Sequence, residues 1–338
     1  MENTMEFEHF DVVSDDSDHH FLGSKNGKWF NDSKSKVYKT IVKEWKILEQ
    51  NLPESIYVRV YERRIDLMRA VIVGAAGTPY HDGLFFFDIV FPSDYPRNPP
   101  KLYYHSFGYR HNPNLYKSGK VCLSLLNTWY GKKKETWDPS ESTMLQVLLS
   151  IQALVLNEKP FFNEPDALPS EKKSRAYNEH VFLITCIASF HLLKRPPRNF
   201  EAFVGDHFRR RAFSILAACR EYANGRVGVG YYGCDLRFPM VQVSRSFIQR
   251  LVMLYPGLLK AFRRNGASLE GLGEQLEVES QESKKKSSGV FKKIVEKIKQ
   301  VFRSRKFGGE FVCKKIWSVQ LKIYTNEENG KIPSKEDY

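Results

Sequence analysis

Residues 84–106 read LFFFDIVF, then PSDYPRNPP, then KLYYHS. Two aromatic, β-prone runs are held apart by a nine-residue loop containing four prolines. Proline fixes its own φ, lacks an N–H and pushes the preceding residue into extended backbone. The loop can therefore be neither helix nor inner strand, and it must run as a stiff, extended connection. Two earlier runs, SIYVRVYE (55–62) and DLMRAVIVG (66–74), are rich in Val and Ile. GTPYHDG (77–83) punctuates the chain before the third run. Four strand-like segments with short turns predict an antiparallel meander.

Helical patterns flank the meander. Val37, Ile41, Trp45 and Leu48 recur at intervals of four, four and three, predicting a helix that begins near Ser33. In TMLQVLLSIQALVL (143–156), Met144, Val147, Leu148, Ile151 and Val155 have helical spacing. This segment is apolar nearly all round, which predicts a central buried helix. Two longer amphipathic segments, 174–193 and 199–222, are separated by Arg195-Pro196-Pro197, where a helix must stop. A last helical pattern spans 244–264, with a break or kink expected at Pro256. Helix, meander, loop and then helices is an α+β order.

Charge is unevenly placed. Residues 284–306 hold ten Lys or Arg and one Glu, so this stretch accounts for +9 of the chain's net +13. Phe291, Ile294, Val295, Ile298, Val301 and Phe302 would line one face of a helix there, with lysines opposite. That pattern fits an interfacial helix on an anionic membrane surface, and equally a peptide-binding target, an import signal or a solvated charge run. Nucleic acid is not favoured, because the aromatic interleaving needed for base stacking is missing. The five cysteines form no CxxC pair, and the polar, acidic N-terminus does not read as a secretory signal. Free thiols in a reducing compartment, cytoplasmic or nuclear, are expected, with peripheral membrane association through 284–306. No apolar run reaches the roughly 20 residues needed to span a bilayer.

Cys122 sits in NPNLYKSGKVCLSLLNTW (112–129), just after a tight Asn112-Pro113-Asn114 turn. Taken alone, such a cysteine reads as core packing. Cys186 and Cys219 lie on helical patterns and do read that way. His19, His20, His105 and His111 form no ligand constellation, and they are expected to be solvated or locally hydrogen-bonded. No metal site is expected. Trp129 and Trp137 are expected to anchor a loop and the core.

The ordered set of motifs changes the reading of Cys122. From Ser33 to Ala223 the chain resembles the ubiquitin-conjugating catalytic domain. GTPYHDGLFFFDIVFPSDYPRNPP is similar to the family's meander and proline-rich loop. Asn112-Pro113-Asn114 stands at the family's His-Pro-Asn turn, Cys122 follows Asn114 by the family's eight residues, and Trp137-Asp138-Pro139 resembles its later Trp motif. The stretch 112–164, AYNE at 176–179 and KRPPRNFE at 194–201 resemble one subclass, the large conjugating enzymes that also behave as ligases. Two departures are that Asn112 replaces the family's His and that Arg97 stands where many members carry an aromatic that touches ligases. The chain is also shorter than typical subclass members.

Composition and pattern give a mostly flexible acidic arm (1–32), in which HFDVVS (9–14) could dock, a Gly-rich and helical extension (224–264), and a linker with a basic tail (265–338), around the catalytic domain (33–223) that the resemblance implies. The resemblance also implies ubiquitin carried as a thioester on Cys122, with the tetrahedral oxyanion supported by Asn114 on a turn shaped by Asn112 and Pro113. Ser118-Gly119-Lys120 lets the chain turn back toward Asn114. Glu158, Asn163 and Glu164 remain open alternatives for orienting the incoming lysine. Pro92, Tyr95, Pro96, Arg97, Pro99 and Pro100 form the expected partner loop. The implied partners are ubiquitin, its activating enzyme, and a ligase or substrate protein. No cofactor is expected, because ATP is used by the activating enzyme. The competing reading is a non-catalytic ubiquitin- or partner-binding module anchored by the basic tail.

Overall fold

The computed structural model describes residues 7–23, 33–129, 131–132, 135–165, 167–233 and 243–269. The basic segment 284–306 lies outside these residues. The helix predicted near Ser33 is α1 (Lys36–Asn51), capped by the Ser35 hydroxyl, which accepts from the Tyr38 amide. The meander is formed by β2 (Ile56–Tyr61), β3 (Leu67–Val73), β4 (Leu84–Val90) and β5 (Lys101–Tyr104), each antiparallel to the next.

A fifth strand, β1 (Phe10–Val13), pairs parallel with β2, matching Phe10 to Val58 and Val13 to Tyr61. Sequence reading made residues 1–32 mostly a flexible arm, with docking open only for 9–14. Instead, residues 7–23 lie on the sheet, because its second face offers them partners that the sequence pattern did not reveal.

Strand alternation builds two faces. Ile56, Val58, Val60, Met68, Ala70, Ile72, Phe85, Phe87 and Ile89 join α1 and the 144–156 helical segment in the main core. The opposite face carries Arg59, Arg69 and Asp88, all buried. The Arg69 guanidinium donates to Asp88 through Nε (2.6 Å) and Nη2 (2.9 Å). Residues 18–20 complete this cluster. Asp18 accepts from Arg69, the His20 amide donates to Asp88, and the His19 ring bonds the Met68 carbonyl. His19 is thus buried rather than solvated. Covered on both faces, β4 is buried along its whole length, which explains why it reads LFFFDIV instead of alternating.

The apolar segment after the site divides into α2 (Met144–Ser150) and a π-helical turn (Ile151–Val155). Its predicted inward residues are buried, yet Leu154 is 62% exposed, so the segment is not buried all round. The two long helices are α3 (Glu171–Lys194) and α4 (Glu201–Ala223), separated at Pro196-Pro197 as expected. The extension contributes α5 (Arg245–Arg264), which continues through Pro256 without ending there. No helix of the described residues is long and apolar enough to cross a membrane.

Candidate active site

The site is assembled by the 110–123 loop. The Leu115 amide donates to the Asn112 carbonyl, and isolated antiparallel bridges pair Asn112 with Leu115 and Leu115 with Val121. Gly119 makes the return possible. Its φ is +87°, and a Cβ there would stand 2.1 Å from the Tyr103 ring. The Gly119 amide donates to the Tyr116 carbonyl, and the Tyr116 amide to the Lys120 carbonyl. The turn therefore brings Cys122 back beside Asn114. The Cys122 amide donates to the Asn114 carbonyl at 2.9 Å, and Asn114 Nδ2 donates to the Cys122 carbonyl at 2.9 Å.

Asn112 is the hub of the turn. Its Nδ2 donates to the Tyr80 hydroxyl and to the Val155 carbonyl, both at 2.7 Å. Its Oδ1 accepts from the Asn114 amide (2.8 Å) and from Asn163 Nδ2 (3.3 Å). The π-helical turn supplies the Val155 and Leu154 carbonyls, which also accept from Asn163. Neighbouring His111 is fully buried and bonded through Nδ1 to the Tyr104 hydroxyl. Burial pushes its pKa down to about 3, which makes it a very weak base, poorly suited to take a thiol proton.

Cys122 is only 2% exposed, more covered than a nucleophile would ordinarily be. Its surroundings are nevertheless unlike a core. Burial pushes the thiol pKa up, while Lys120, a hydrogen bond from Tyr116 and the charge of Arg110 pull it down, and Glu164 pushes it up. Tyr116 is half-buried and Lys120 exposed. The Arg110 and Glu164 side chains are 46% and 48% exposed and pair at 3.3 Å. Cys186 on α3 and Cys219 on α4, by contrast, are buried on the long helices. Arg110 and Tyr116 were not singled out from the sequence, and Lys120 was named only as part of the turn. The one available signal was their position around the turn.

The three lysine-orienting alternatives occupy different places. Asn163 belongs to the Asn112 hub. Glu158 is exposed and accepts from the Tyr231 hydroxyl of the Gly-rich extension. Glu164 faces the thiol's surroundings through Arg110. The proline loop is fixed from beneath. Tyr95 and Pro100 are buried, the Tyr95 hydroxyl donates to Glu44 (2.6 Å), and Trp137 Nε1 donates to the Pro96 carbonyl (2.7 Å). Arg97 is exposed, and Pro92, Pro96 and Pro99 are half-buried. Trp137 is therefore an anchor, as expected. Among the described residues no group of His, Cys, Asp or Glu is placed to hold a metal.

Residues 40–184 match the family model described as ubiquitin-conjugating enzyme. The chain is 53% identical over 225 residues to ubiquitin-conjugating enzyme E2 38 of Arabidopsis thaliana, covering 65% of this chain and 68% of that protein. This chain belongs to the ubiquitin-conjugating enzyme family. The family consists of transferases that work through a thioester intermediate, with ubiquitin, an activating enzyme and ligases. Ubiquitin-conjugating enzyme E2 24 of the same plant is 52% identical over 270 residues, which cover 78% of this chain and 30% of that protein. The human protein named dual E2 ubiquitin-conjugating enzyme/E3 ubiquitin-protein ligase BIRC6 is 37% identical over 242 residues, covering 64% of this chain and 5% of that protein. The chain thus spans 30% of the length of E2 24 and 5% of that of the human protein.

Proposed function

We propose that this chain accepts ubiquitin as a thioester on Cys122 and hands it to a substrate lysine. In the first step the Cys122 thiolate attacks the carbonyl carbon of ubiquitin's thioester on the activating enzyme. A new C–S bond forms, and the activating enzyme's sulfur leaves as thiolate. In the second step a neutral lysine amine attacks that carbon. The C–N bond forms, the C–S bond breaks, Cys122 leaves as thiolate, and the amine's extra proton passes to a base or to water. Cysteine suits both halves, because its thiolate is a strong nucleophile and its thioester stays reactive toward amines.

The carrying observation is the reciprocal pairing of Asn114 and Cys122 within a chain of this family. One Asn114 N–H holds the Cys122 carbonyl. The amide's second N–H is the donor for the oxyanion, a contribution of roughly a hundredfold in rate. Glu164 is the best placed of the acidic groups to receive the lysine. The exposed Arg97 and the partly exposed prolines beside it are the surface for a ligase or activating enzyme. The name of the human relative supports ligase behaviour within the same chain, and the charge of 284–306 supports contact with an anionic membrane surface. A non-catalytic binding module is disfavoured by the intact cysteine and its paired amide.

The test is charging with activating enzyme, ATP and ubiquitin. The wild type gives a ubiquitin adduct lost with reductant, and Cys122→Ser gives an adduct that survives reductant. No adduct on the wild type, with an active control enzyme alongside, would overturn the reading. Parallel reactions with other ubiquitin-like modifiers define the one carried.

A further inference from the structure

Asn112 is fully buried, and its carboxamide makes four hydrogen bonds at once. Their directions are forced. The Val155 carbonyl can only accept, so Asn112 Nδ2 faces it (2.7 Å). The Asn114 amide can only donate, so Asn112 Oδ1 faces that (2.8 Å). Nδ2 also donates to the Tyr80 hydroxyl (2.7 Å), whose own proton goes to the His111 carbonyl (3.0 Å). The fourth bond comes from Asn163 Nδ2, 3.3 Å from Asn112 Oδ1. A neutral imidazole has one N–H and one lone-pair nitrogen, so a histidine at 112 could not make this set. Asn163 is oriented just as firmly. Its Nδ2 lies 3.2 Å from the Leu154 and Val155 carbonyls, and its Oδ1 accepts from Asn157 Nδ2 (2.7 Å). Its segment is anchored by buried Pro160 and by Asn178 Nδ2, which donates to the Glu158 carbonyl (2.9 Å). Both ends of the Asn163 carboxamide are therefore engaged with the protein itself.

We propose that Asn163 is a positioning residue for Asn114, acting through Asn112, and not the group that receives the substrate lysine. The Asn163 N–H holds Asn112 Oδ1, and that oxygen holds the Asn114 amide. The Asn114 carboxamide is thereby set against the Cys122 carbonyl (2.9 Å). A carboxylate at position 163 would reverse the sign of this tie. One of its oxygens would face three others, those of Leu154, Val155 and Asn112. Aspartate matches asparagine in shape but receives an ammonium or amine better, so it separates the two roles. A lysine-receiving group gains from the charge, and a positioning donor loses by it. The inference rests on Cys122 being the ubiquitin carrier and Asn114 the oxyanion donor, and one arm of its test uses no ubiquitin.

The experiment is discharge of the pre-charged full chain to free lysine over a range of lysine concentrations, with hydrogen exchange of the uncharged chain alongside. Rates are normalised to bound ubiquitin, so a variant that merely folds less well does not change them. Asn163→Asp and Asn163→Ala should each lower the limiting rate about tenfold and leave half-saturating lysine within about twofold of wild type. A limiting rate kept or raised in Asn163→Asp overturns the proposal, as does a raised half-saturation with the limiting rate kept. Adding Asn163→Ala to Asn114→Ala should cost less than about twofold more, because the group being positioned is already gone. A full second loss overturns the route through Asn114. Exchange at the Asn114 amide should speed up about fivefold in Asn163→Asp, since its acceptor is no longer held; unchanged exchange overturns the tie. The isosteric Asn163→Asp variant keeps the test decisive if Asn163→Ala fails to fold. Faster exchange with no ubiquitin adduct on any chain would sink the carrier reading alone, whereas normal adduct with unaltered exchange and discharge would sink the positioning role alone.

Discussion

Asn114 and Cys122 hold each other through two 2.9 Å hydrogen bonds, one between their backbones and one from the Asn114 carboxamide to the Cys122 carbonyl. The second bond makes Asn114 a structural residue before any chemistry begins. Asn114→Ala therefore has two expected effects. It should cost about 1–2 kcal/mol of stability, since the Cys122 carbonyl loses its donor. It should also slow discharge of pre-charged enzyme to free lysine by roughly a hundredfold while charging persists. Denaturant unfolding reads the first effect and single-turnover discharge the second. Lost stability with normal discharge would confine Asn114 to the loop.

Asp88 is the electrostatic centre of the sheet's second face. Contacts with His105 and Arg69 hold its carboxyl far below the usual carboxylate range despite a large opposing effect of burial. A depressed acid contributes stability above its unfolded pKa of about 4 and loses it as pH falls toward the folded value. His19 and His20 are pushed down by burial, so they cost stability as pH drops below about 6.5, where the unfolded chain binds their protons. Stability should thus begin to fall near pH 6.5 and fall faster below 4. Asp88→Asn should cost about 3–5 kcal/mol, because Arg69 is left buried with only Asp18 beside it. Hydrogen exchange should speed up across 10–20, the segment tied down by the His20–Asp88 bond. Unchanged exchange there would show that the strand pairing alone holds β1.

The meander and the cysteine turn were legible for different reasons. Proline and glycine punctuation, together with β-branched runs, act locally, so β2–β5 follow from nearest neighbours in the chain. The Asn114–Cys122 pairing was legible through spacing, because Gly119 allows one tight return. What stayed hidden depends on contacts remote in sequence. FDVV at 10–13 is only four residues long, too short for a periodic signal, and it is held on the sheet because buried Arg69 and Asp88 take partners from residues 18–20. Arg110 looks like an ordinary loop residue until the fold sets Glu164 at 3.3 Å from it and the Tyr116 ring beneath its guanidinium. Pro256 predicted a break because proline removes one helical bond; packing of Leu254, Leu258, Leu259 and Phe262 in the interior keeps α5 continuous.

Tyr222 on α4 fastens the Gly-rich segment around Gly230 to the rest of the fold. Its hydroxyl accepts from the Gly230 amide (3.0 Å) and the Tyr232 amide (3.2 Å) and is 2.8 Å from His81 Nε2. With both backbone bonds arriving as donors, the phenol proton points to His81, whose Nδ1 side faces Asp82 at 3.0 Å. Tyr222→Phe leaves two buried amides without an acceptor and should cost about 1–3 kcal/mol. Exchange of the 230 and 232 amides should rise more than that of α4. The Tyr231–Glu158 bond should loosen with them, so exchange around 157–159 should follow. Protection unchanged at 230 would leave the Gly77–Gly230 backbone bond as the tether.

The basic segment 284–306 makes a prediction from charge alone. The segment has a local net charge of +9 and apolar residues at helical spacing; each lysine or arginine near an anionic bilayer contributes about 1 kcal/mol, and the attraction is screened within a Debye length of about 10 Å at 0.1 M salt. The full chain should therefore float with vesicles rich in phosphatidylserine and remain unbound to neutral phosphatidylcholine vesicles. Deleting 284–306 should abolish flotation, and raising salt to 0.5 M should weaken it severalfold. Replacing Phe291, Ile294, Ile298 and Phe302 with serine separates the two contributions, since it keeps the charge and removes most of the apolar side chains at helical spacing. Flotation that survives this replacement would make the contact purely electrostatic. Equal recovery of the full and deleted chains would place any membrane contact elsewhere in the molecule.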